Sequence, residues 1–360
     1  MRNVVDILDL SVEEIDRLID TASDIAAHPD CYRDSMKHKI LATLFFEPST
    51  RTRLSFECAM LALGGSTVGF SDANTCSASK GETLADTLTV VSGYADMIAM
   101  RHPGEGAPYV ACAHSSVPVI NAGDGGHYHP TQTLADLMTI HQKCGRLDHL
   151  TVGLCGDLRY GRTVHSLIAA MARYPGTRFV LISPEELTLP PFVLDGTIRQ
   201  NSLPCRESRT LEDVIGQLDI LYMTRIQRER FEDPLAYERL KDSYLLDPEK
   251  MKGAGPHMIV MHPLPRVQEI SAELDTDPRA CYFTQAQNGK LMRMALILML
   301  QQERERPDTA RIKGEPITGA FVCRNPHCIC QSERNLPPRY YRDREGQPRC
   351  FFCDTEVTDA

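Results

Sequence analysis

A run of hydroxyl and cationic side chains follows a largely apolar segment near residue 50. The segment Leu41 to Phe46 continues into Glu47-Pro48-Ser49-Thr50-Arg51-Thr52-Arg53. If a strand ends here and a helix begins, the free N–H groups and positive dipole end of that helix favour an anion. The hydroxyl groups add donors, and Arg51 can hold a phosphate with two hydrogen bonds. The alternative is an ordinary helix cap with exposed charges, but this combination directly after a strand favours phosphate binding.

The last 38 residues contain a second group with the spacing of a chemical site. Cys323 and Cys328 are followed, after 21 residues, by Cys350 and Cys353. Two thiolate pairs at this spacing suit tetrahedral zinc. The segment has too few apolar residues to fold without a bound metal ion that links its parts. We therefore predict a structural zinc site, with Cys330 as a spare thiol.

Two other functions for this cysteine-containing segment agree less well with its sequence. A redox pair at Cys350 and Cys353 would be expected within a thioredoxin-like βαβ unit, which the surrounding residues do not predict. A nucleic-acid-binding ribbon would carry excess positive charge, whereas residues 323–360 contain six arginines and six acidic residues.

Composition excludes further classes of protein. The 360 residues carry a formal net charge of −9, which argues against binding to nucleic acid. The most apolar stretch, Leu291 to Leu300, is too short to cross a membrane and contains Arg293. The first residues are acidic and amphipathic, unlike a signal or transit peptide. Because the 13 cysteines are an odd number, we expect free thiols and a cytoplasmic protein.

Apolar runs alternate with helical patterns along most of the chain, which predicts an α/β fold with parallel sheets. The first helix is expected from Ser11 to about His28, because Ser11 and Glu14 form a capping box. Further strands are predicted at 39–46, 95–100, 117–121, 150–155, 178–183, 218–223 and 258–261. Further helices are predicted at about 52–63, 130–141, 163–173 and 289–306, and the Gly-rich residues 123–126 are expected to form a turn.

The alternation restarts near residue 150, which indicates two α/β domains. We place the first at residues 1–134, completed by the helix at 287–306, and the second at 135–286. Pro307, Gly314, Pro316 and Gly319 indicate a linker, so residues 307–360 are expected to be a linker and a small zinc-binding domain. Ligands of open parallel sheets bind beyond the carboxyl ends of the strands, so the residues after each strand are the candidate site.

The run from Ser49 to Arg53, followed by Ser55-Phe56-Glu57, resembles the carbamoyl-phosphate loop of the transcarbamylases. Further motifs of that family occur in the same order: Lys80-Gly81-Glu82-Thr83 after Asn74-Thr75, Arg101, His129-Pro130-Thr131-Gln132-Thr133, Gly156-Asp157 and Gly161 to Ser166. The resemblance extends from residue 1 to about residue 306. It implies two doubly wound parallel-sheet domains that face each other across a cleft, followed here by the small four-cysteine zinc domain.

Two later motifs resemble the aspartate carbamoyltransferases rather than the ornithine enzymes. They are Met223 to Arg230 and His262-Pro263-Leu264-Pro265-Arg266. An ornithine enzyme would have a cysteine where Pro263 stands, and acidic groups for its cationic substrate. Arg162, Arg225 and Gln227 instead suit the two carboxylates of aspartate.

The resemblance implies a role for each matched residue in carbamoyl transfer from carbamoyl phosphate to the α-amine of L-aspartate. The residues that would hold the phosphate are Ser49, Thr50, Arg51 and Thr52. The developing charge on the carbamoyl oxygen would be stabilised by Thr52, Arg101 and His129. The acceptors for the carbamoyl NH2 would be Gln132 and the backbone carbonyls of Pro263 and Leu264. Aspartate would be oriented by Arg162, Arg225 and Gln227. This reaction needs no organic cofactor.

Lys80 completes the implied catalytic set. In the family, its loop reaches the active site of a neighbouring subunit, which implies a homotrimer, or a multiple of trimers, with shared sites. The family usually has a serine four residues before this lysine, where this chain has Cys76. The hydroxyl's role is left open between Cys76, Ser77 and Ser79.

The C-terminal segment has a family resemblance of its own. Cys323-x-Asn325-x-x-Cys328 and Cys350-x-Phe352-Cys353 are similar to the zinc domain of the regulatory chain of aspartate carbamoyltransferases. In that assembly the zinc domain docks on the catalytic chain, whereas here the two are fused. The 16 residues from Pro307 to Val322 are too few for the nucleotide-binding domain that precedes the zinc domain in the separate chain.

Two alternative functions are left open. One is carbamoyl transfer to another amine acceptor, although Arg225 and Gln227 argue against a cationic one. The other is a non-catalytic scaffold that only binds carbamoyl phosphate. Against the scaffold stands the complete set of implied catalytic and binding residues: Arg51, Thr52, Lys80, Arg101, His129 and Gln132.

Overall fold

A computed structural model describes residues 1–226, 244–305, 313–343 and 345–359. The chain divides into two units, one formed by Met1–Thr131 together with Lys290–Ala360 and the other by Gln132–Gly289. The first helix, α1 (Val12–Ala27), has the predicted capping box between Ser11 and Glu14. Glu14 also forms a buried ion pair of 2.8 Å with Arg2, which ties the start of the chain to this helix.

The first unit contains a parallel four-stranded sheet of β1 (Ile40–Phe45), β2 (Ser66–Phe70), β3 (Met97–His102) and β4 (Val119–Asp124). Its strand order is β2-β1-β3-β4. The helices between these strands are α2 (Thr50–Ala62), α3 (Leu84–Val91) and α4 (Ala107–His114). Because the winding direction reverses between β1 and β3, the carboxyl ends of these two neighbouring strands form a switch point, the usual ligand position of such sheets.

The second unit contains a parallel five-stranded sheet of β5 (Thr151–Cys155), β6 (Arg178–Ile182), β7 (Cys205–Ser208), β8 (Ile220–Met223) and β9 (Ile259–Met261). Its order, β7-β6-β5-β8-β9, reverses between β5 and β8. Helix α6 (Arg162–Met171) follows β5, and shorter helical segments lie at Pro191–Val193, Leu194–Arg199 and Pro248–Met251. Apolar side chains such as Leu221, Met223 and Val260 fill the core of this unit.

Two helices contain the boundaries between the units. Helix α5 (Pro130–Cys144) contains the boundary after Thr131, and the long helix Tyr282–Gln302 contains the boundary after Gly289. The long helix was predicted at 289–306, so its predicted start is wrong. The early turns are polar in sequence, but Gln285 and Asn288 are buried and hydrogen-bonded there.

The C-terminal module is a small β structure. Strands β10 (Glu315–Ile317), β12 (Tyr340–Arg342) and β13 (Pro348–Cys350) form an antiparallel sheet, while β11 (Phe321–Val322) pairs with β14 (Thr358–Asp359). Short 3-10 turns in the chain lie at Ile7–Asp9, Pro29–Tyr32, Ala73–Thr75, Ser77–Lys80, Glu185–Leu187, Ile215–Gln217, Ala272–Thr276 and Ile329–Gln331.

This module belongs to the first unit and shares its apolar core. Ile329, Phe352 and Val357 join one buried cluster with residues of α4 such as Ala107 and Val110. Backbone hydrogen bonds also join them, because Glu105 N–H donates to His327 O at 2.8 Å and Ile329 N–H donates to Glu105 O at 2.9 Å. Gly106 has φ of +83°, and a Cβ there would lie 2.6 Å from the Phe352 Cβ, so glycine permits this close approach.

Every strand predicted in the two α/β domains is present, and the α/β class with a C-terminal cysteine cluster is confirmed. Strands β2 and β7 and helices α3 and α4 were not predicted. The expected turn at 123–126 is wrong at its start, because Gly123 lies within β4. Among the described residues, no helix combines the length and hydropathy needed to cross a membrane.

Candidate functional site

The hydroxyl- and arginine-rich run lies at the junction of β1 and α2. Ser49 is the N-cap of α2, yet within the described residues its side chain makes no capping hydrogen bond to the helix. Thr50, Arg51 and Thr52 form the first turn. The first N–H groups of a helix lack partners within it, so this end is suited to bind an anion.

Arg101 lies near the carboxyl end of β3, opposite Phe45 of β1 in the sheet register. It is buried, and its Nη2 donates to Glu47 Oε1 at 2.8 Å. Within the described residues, the buried Nε of Arg101 has no hydrogen-bond partner. Desolvation, together with the positive charge of Arg101, lowers the pKa of Arg51 from its ordinary value. The switch point between β1 and β3 therefore carries two nearby cations, as expected for an anion site.

His129 reaches the same place from β4. Gly123, near the end of β4, has φ of +118°, and a Cβ there would lie 2.9 Å from Arg101 Nη1 and 3.3 Å from His129 Cδ2. A glycine is therefore needed for the backbone to pass between these two side chains. His129 is buried, and Thr131 Oγ1 lies 3.5 Å from its Nδ1. Behind it, Arg293 Nη2 donates to Thr131 Oγ1 at 3.3 Å.

Arg53, although part of the same motif, has a different partner. Its Nε donates to Glu57 Oε1 at 2.9 Å, one turn further along α2. Glu57 Oε1 also accepts from Thr43 Oγ1 of β1 at 3.1 Å. Arg53 therefore ties α2 to the sheet, while Arg51 forms no such pair among the described residues.

The second unit places two predicted arginines at its own switch point. Arg162 is the first residue of α6, in the segment that follows β5, and Arg225 follows the neighbouring strand β8. Gln227, the third residue expected to bind aspartate, lies outside the described residues. Pro263 and Leu264 follow the end of β9, next to β8, and Leu264 has a positive φ of 53°.

Lys80 ends the exposed 3-10 turn Ser77–Lys80 in the first unit. Of the three groups left open for the hydroxyl role, the thiol of Cys76 donates to Ala73 O at 3.3 Å, and Ser79 Oγ donates to Cys76 O at 2.8 Å. Both groups stabilise the local turn. The resemblance assigns this loop to the site of a neighbouring subunit, so the contacts within one chain leave its catalytic role a prediction.

The four predicted zinc ligands are brought together. The sulfur atoms of Cys323, Cys328, Cys350 and Cys353 all lie within 4.8 Å of one another, and all four residues are buried. The Cys323–Cys353 and Cys328–Cys350 sulfur separations are 3.6 and 3.8 Å. Because Zn–S bonds of about 2.3 Å place tetrahedral sulfurs about 3.8 Å apart, this donor set fits a zinc ion. Cys330 lies outside the group.

An ionic network joins this cysteine module to the turn before His129. Asp354 Oδ2 accepts from His127 Nε2 at 3.0 Å and from the Tyr128 hydroxyl at 2.5 Å, while Lys313 Nζ donates to Oδ1 at 2.6 Å. On its other side, His127 Nδ1 lies 3.0 Å from Asp124 Oδ2. Although burial favours the neutral ring, the carboxylates of Asp124 and Asp354 raise the pKa of His127 to about 10.

Sequence reasoning missed several residues that support the site. The sequence predicts no separate role for Glu47 and no role for His127. Asp124 gave a usable signal, since an acidic residue at the carboxyl end of an apolar strand is in a ligand-binding position. Asp354 gave none, because His127 and Tyr128, its partners next to the site, are more than 200 residues away in the sequence.

Family models match three consecutive parts of the chain. Residues 2–142 match the carbamoyl-P binding domain of aspartate/ornithine carbamoyltransferase, and residues 148–300 match its Asp/Orn binding domain. Residues 315–360 match the metal binding domain of the aspartate carbamoyltransferase regulatory chain.

Curated relatives agree over the first two of these parts. The aspartate carbamoyltransferase catalytic subunit of Lachnoclostridium phytofermentans is 58% identical over 300 residues, which cover 83% of this chain and 98% of that protein. The catalytic subunit of Clostridium novyi is 58% identical over 296 residues, covering 82% and 96%.

Solved structures are similar over the same range. The catalytic subunit of M. jannaschii aspartate transcarbamoylase has a TM-score of 0.80 at 44% identity and covers 85% of this chain and 100% of its own. The aspartate transcarbamoylase of Trypanosoma cruzi in complex with carbamoyl phosphate and aspartate has a TM-score of 0.78 at 38% identity, covering 82% and 96%.

Proposed function

The chain belongs to the aspartate/ornithine carbamoyltransferase family, and we propose that it acts as an aspartate carbamoyltransferase in which each of its two units binds one substrate. The enzyme transfers the carbamoyl group of carbamoyl phosphate to the α-amine of L-aspartate, giving N-carbamoyl-L-aspartate and phosphate. The observation that carries the assignment is the pair of cations, Arg51 and Arg101, at the switch point between β1 and β3. The product belongs to the synthesis of pyrimidines.

The reaction needs positioning and charge stabilisation rather than a covalent enzyme intermediate. The amine nitrogen of aspartate attacks the carbamoyl carbon, and charge accumulates on the carbonyl oxygen. The bond from that carbon to the phosphate oxygen then breaks, and the departing phosphate takes the amine proton. An enzyme accelerates such a step with donors fixed where the charge develops.

We assign the first half of this task to the first unit, as the carbamoyl-phosphate domain. Ser49, Thr50, Arg51 and Thr52 hold the phosphate at the start of α2. Arg101 and His129, which approach each other beside Gly123, donate with Thr52 to the carbonyl oxygen. Glu47 balances the charge of Arg101, so the arriving anion competes with this carboxylate for the guanidinium.

We assign the second half to the second unit, as the aspartate domain. Arg162 and Arg225 follow neighbouring strands, an arrangement that supports binding of a dicarboxylate between them, with Gln227 as a further donor. Gln132 and the carbonyls of Pro263 and Leu264 accept from the carbamoyl NH2. The preference for aspartate over ornithine then follows from the positive charge of the two arginines.

The C-terminal module is assigned a structural zinc ion held by Cys323, Cys328, Cys350 and Cys353. Zinc supplies no step of the reaction here, but it links four chain positions in a segment with few other core residues. The contacts of the module with Glu105, Gly106 and His127 support a role in docking on the carbamoyl-phosphate domain of the same chain.

We further propose a homotrimer, or a multiple of trimers, with active sites completed by Lys80 of a neighbour. Support comes from exposed apolar side chains beside α2 and the edge strand β2, where Leu54, Leu61 and Val68 are 49%, 57% and 46% exposed. Apolar surface of this kind is typical of an interface. The cytoplasm is the proposed location, supported by 13 cysteines, all among the described residues, none of which forms a disulfide.

The function is tested by product analysis on the purified full chain, with subunit mass measured alongside. We expect carbamoylaspartate and phosphate in equal amounts from carbamoyl phosphate and L-aspartate, and no comparable product from L-ornithine. A preference for another amine would replace the substrate assignment. Binding of carbamoyl phosphate without turnover of any amine would identify a non-catalytic scaffold and overturn the assignment as an enzyme.

A further inference from the structure

Asp136 lies one helical turn after Gln132 in α5 and is fully buried. Three side chains from three different elements donate to its carboxylate. Gln132 Nε2 lies 2.8 Å from Oδ1, Gln285 Nε2 lies 2.6 Å from the same oxygen, and the Tyr222 hydroxyl lies 3.0 Å from Oδ2. All of these residues belong to the second unit.

The chemistry of this carboxylate decides which way the Gln132 amide faces. An ionised carboxylate only accepts hydrogen bonds, so it binds the NH2 of Gln132 and not the carbonyl oxygen. The Oε1 of Gln132 is thereby directed away from Asp136 and is available as an acceptor. An amide without such a neighbour could present either end to a ligand.

The same carboxylate fixes a second glutamine. Gln285 gives its NH2 to Asp136, and its Oε1 accepts from the backbone N–H of His262 at 2.9 Å. Asp136 is thus connected through Gln285 to the start of the segment that contains Pro263 and Leu264.

Within that segment, His262 continues the chain of hydrogen bonds. Its Nδ1 accepts from the Leu264 N–H at 2.8 Å, so Nε2 carries the proton and donates to Glu269 Oε1 at 2.8 Å. Although burial opposes its ionisation, hydrogen bonds from His262 and from backbone N–H groups lower the pKa of Glu269 to about 2. Leu264 has a left-handed φ of 53°, a conformation that costs a non-glycine residue about 1–3 kcal/mol and persists only when its surroundings hold it.

We propose that Asp136 is the positioning residue that makes the site selective for a carbamoyl group. By fixing the Gln132 amide, and the His262 backbone through Gln285, it turns acceptors toward the NH2 of the substrate. This inference rests on the proposed function. It predicts that Asp136 governs recognition of the NH2 group and has little influence on the phosphate or the carbonyl oxygen.

Acetyl phosphate tests this separation, because it has a methyl group where carbamoyl phosphate has NH2. In Asp136→Asn, the new amide can donate as well as accept, so Gln132 can reverse its orientation. We expect the KM for carbamoyl phosphate at saturating aspartate to rise by about tenfold or more, in line with a lost hydrogen bond of about 1.4 kcal/mol or more. The inhibition constant of acetyl phosphate should stay within about twofold of the wild-type value.

Two further variants keep the test decisive. Tyr222→Phe removes one hydrogen bond to the same carboxylate and keeps the hydrogen bonds of both glutamines to Asp136, so it should reduce stability while keeping the wild-type ratio of the two constants. Gln285→Met removes both the donor to Asp136 and the acceptor for the His262 N–H, but it keeps the hydrogen bond between Gln132 and Asp136. It should therefore raise the KM for carbamoyl phosphate less than Asp136→Asn does, and leave the inhibition constant of acetyl phosphate unchanged. Gln285→Met also provides the test of the proposal if Asp136→Asn does not fold.

Parallel increases in both constants would show general loosening of the site and overturn the proposal. Unchanged values for both ligands in a folded Asp136→Asn protein would also overturn it. Failure of the proposed function is a separate result, since the wild-type protein would then form no carbamoylaspartate before any variant is compared.

Discussion

His127 and Asp354 lie 227 residues apart in the chain, yet a hydrogen bond of 3.0 Å joins His127 Nε2 to Asp354 Oδ2. His127 precedes His129 by two residues, and Asp354 directly follows Cys353. The contact therefore connects the proposed zinc site with the turn that leads to a residue of the proposed active site. The C-terminal module is part of the structural support of the carbamoyl-phosphate domain.

The first prediction concerns this contact. Asp354→Asn removes the charge that faces His127 and Lys313, and we expect the free energy of unfolding to fall by about 2–3 kcal/mol. The change in the free energy of unfolding is measured by denaturant unfolding, together with limited proteolysis of the C-terminal module. Asp359→Asn, an exposed position on the same module, is the control and should stay near the wild-type value. Equal stability of the two variants would show that the Asp354 contact contributes little.

The second prediction concerns pH. The pKa of His127 is raised from 6.5 to about 10, so its contribution to stability is fully present below about pH 6.5 and is lost as pH rises through about 10. We expect the stability difference between the wild type and His127→Asn to shrink over that range. Asp124, Asp354, Lys313 and Tyr128 are the ionisable groups around the ring, and comparing the two proteins at each pH cancels their separate titrations. If the stability difference between the wild type and His127→Asn is constant between pH 6.5 and 10, this would contradict a protonated His127 in the folded protein.

The third prediction concerns shared active sites. Arg51→Ala and Lys80→Ala chains should each be inactive alone, because each lacks one part of the proposed site. Mixed trimers of the two should regain activity, since some sites then receive both wild-type parts. The measurement is activity after subunit exchange, with exchange verified by mass. No recovery in trimers that have exchanged chains would contradict sharing.

The fourth prediction concerns nucleotides. Residues 303–314 separate the long helix from β10, too short a segment for a nucleotide-binding domain. We expect about one zinc per chain, and no shift of the aspartate saturation curve by ATP or CTP beyond weak competition with carbamoyl phosphate. A shift that carbamoyl phosphate does not relieve, in protein free of any co-purified regulatory chain, would show a nucleotide site in this chain.

The elements that sequence could predict are those whose burial appears in the pattern of apolar residues. The central strands β1, β3, β5 and β8 are buried on both faces and give continuous apolar runs. The edge strands are different, since β7 (Cys205–Ser208) is mostly exposed and its residues show no such run. Helix α4 is short and has no clear amphipathic period, so nothing in its sequence separates it from a loop.

A candidate site could be predicted where one short motif carries several residues of suitable chemistry, as at Ser49 to Arg53, which the structure places at the junction of β1 and α2. It was not predictable where a residue acts through a distant partner. In the sequence Asp136 is one of several polar residues of α5, and only the fold brings Gln285 and Tyr222 to it. The start of the long helix was misplaced for the same reason, because the polar Gln285 is a buried residue whose partner lies 149 positions earlier.

Two arginines on the same turn of α2 allow the most direct test of the proposed phosphate site. Arg51 lies near the charge of Arg101 and is assigned to the proposed anion site, whereas Arg53 is paired with Glu57, so the structure separates two residues that the motif presents as equals. We predict that Arg51→Ala lowers kcat/KM for carbamoyl phosphate by about two to three orders of magnitude, as expected for a lost donor at a desolvated charge. Arg53→Ala should stay within about tenfold of the wild type, with both proteins folded to the same extent. Activity of Arg51→Ala within about tenfold of the wild type, or an equal loss in both variants, would contradict a phosphate site built at the switch point of β1 and β3.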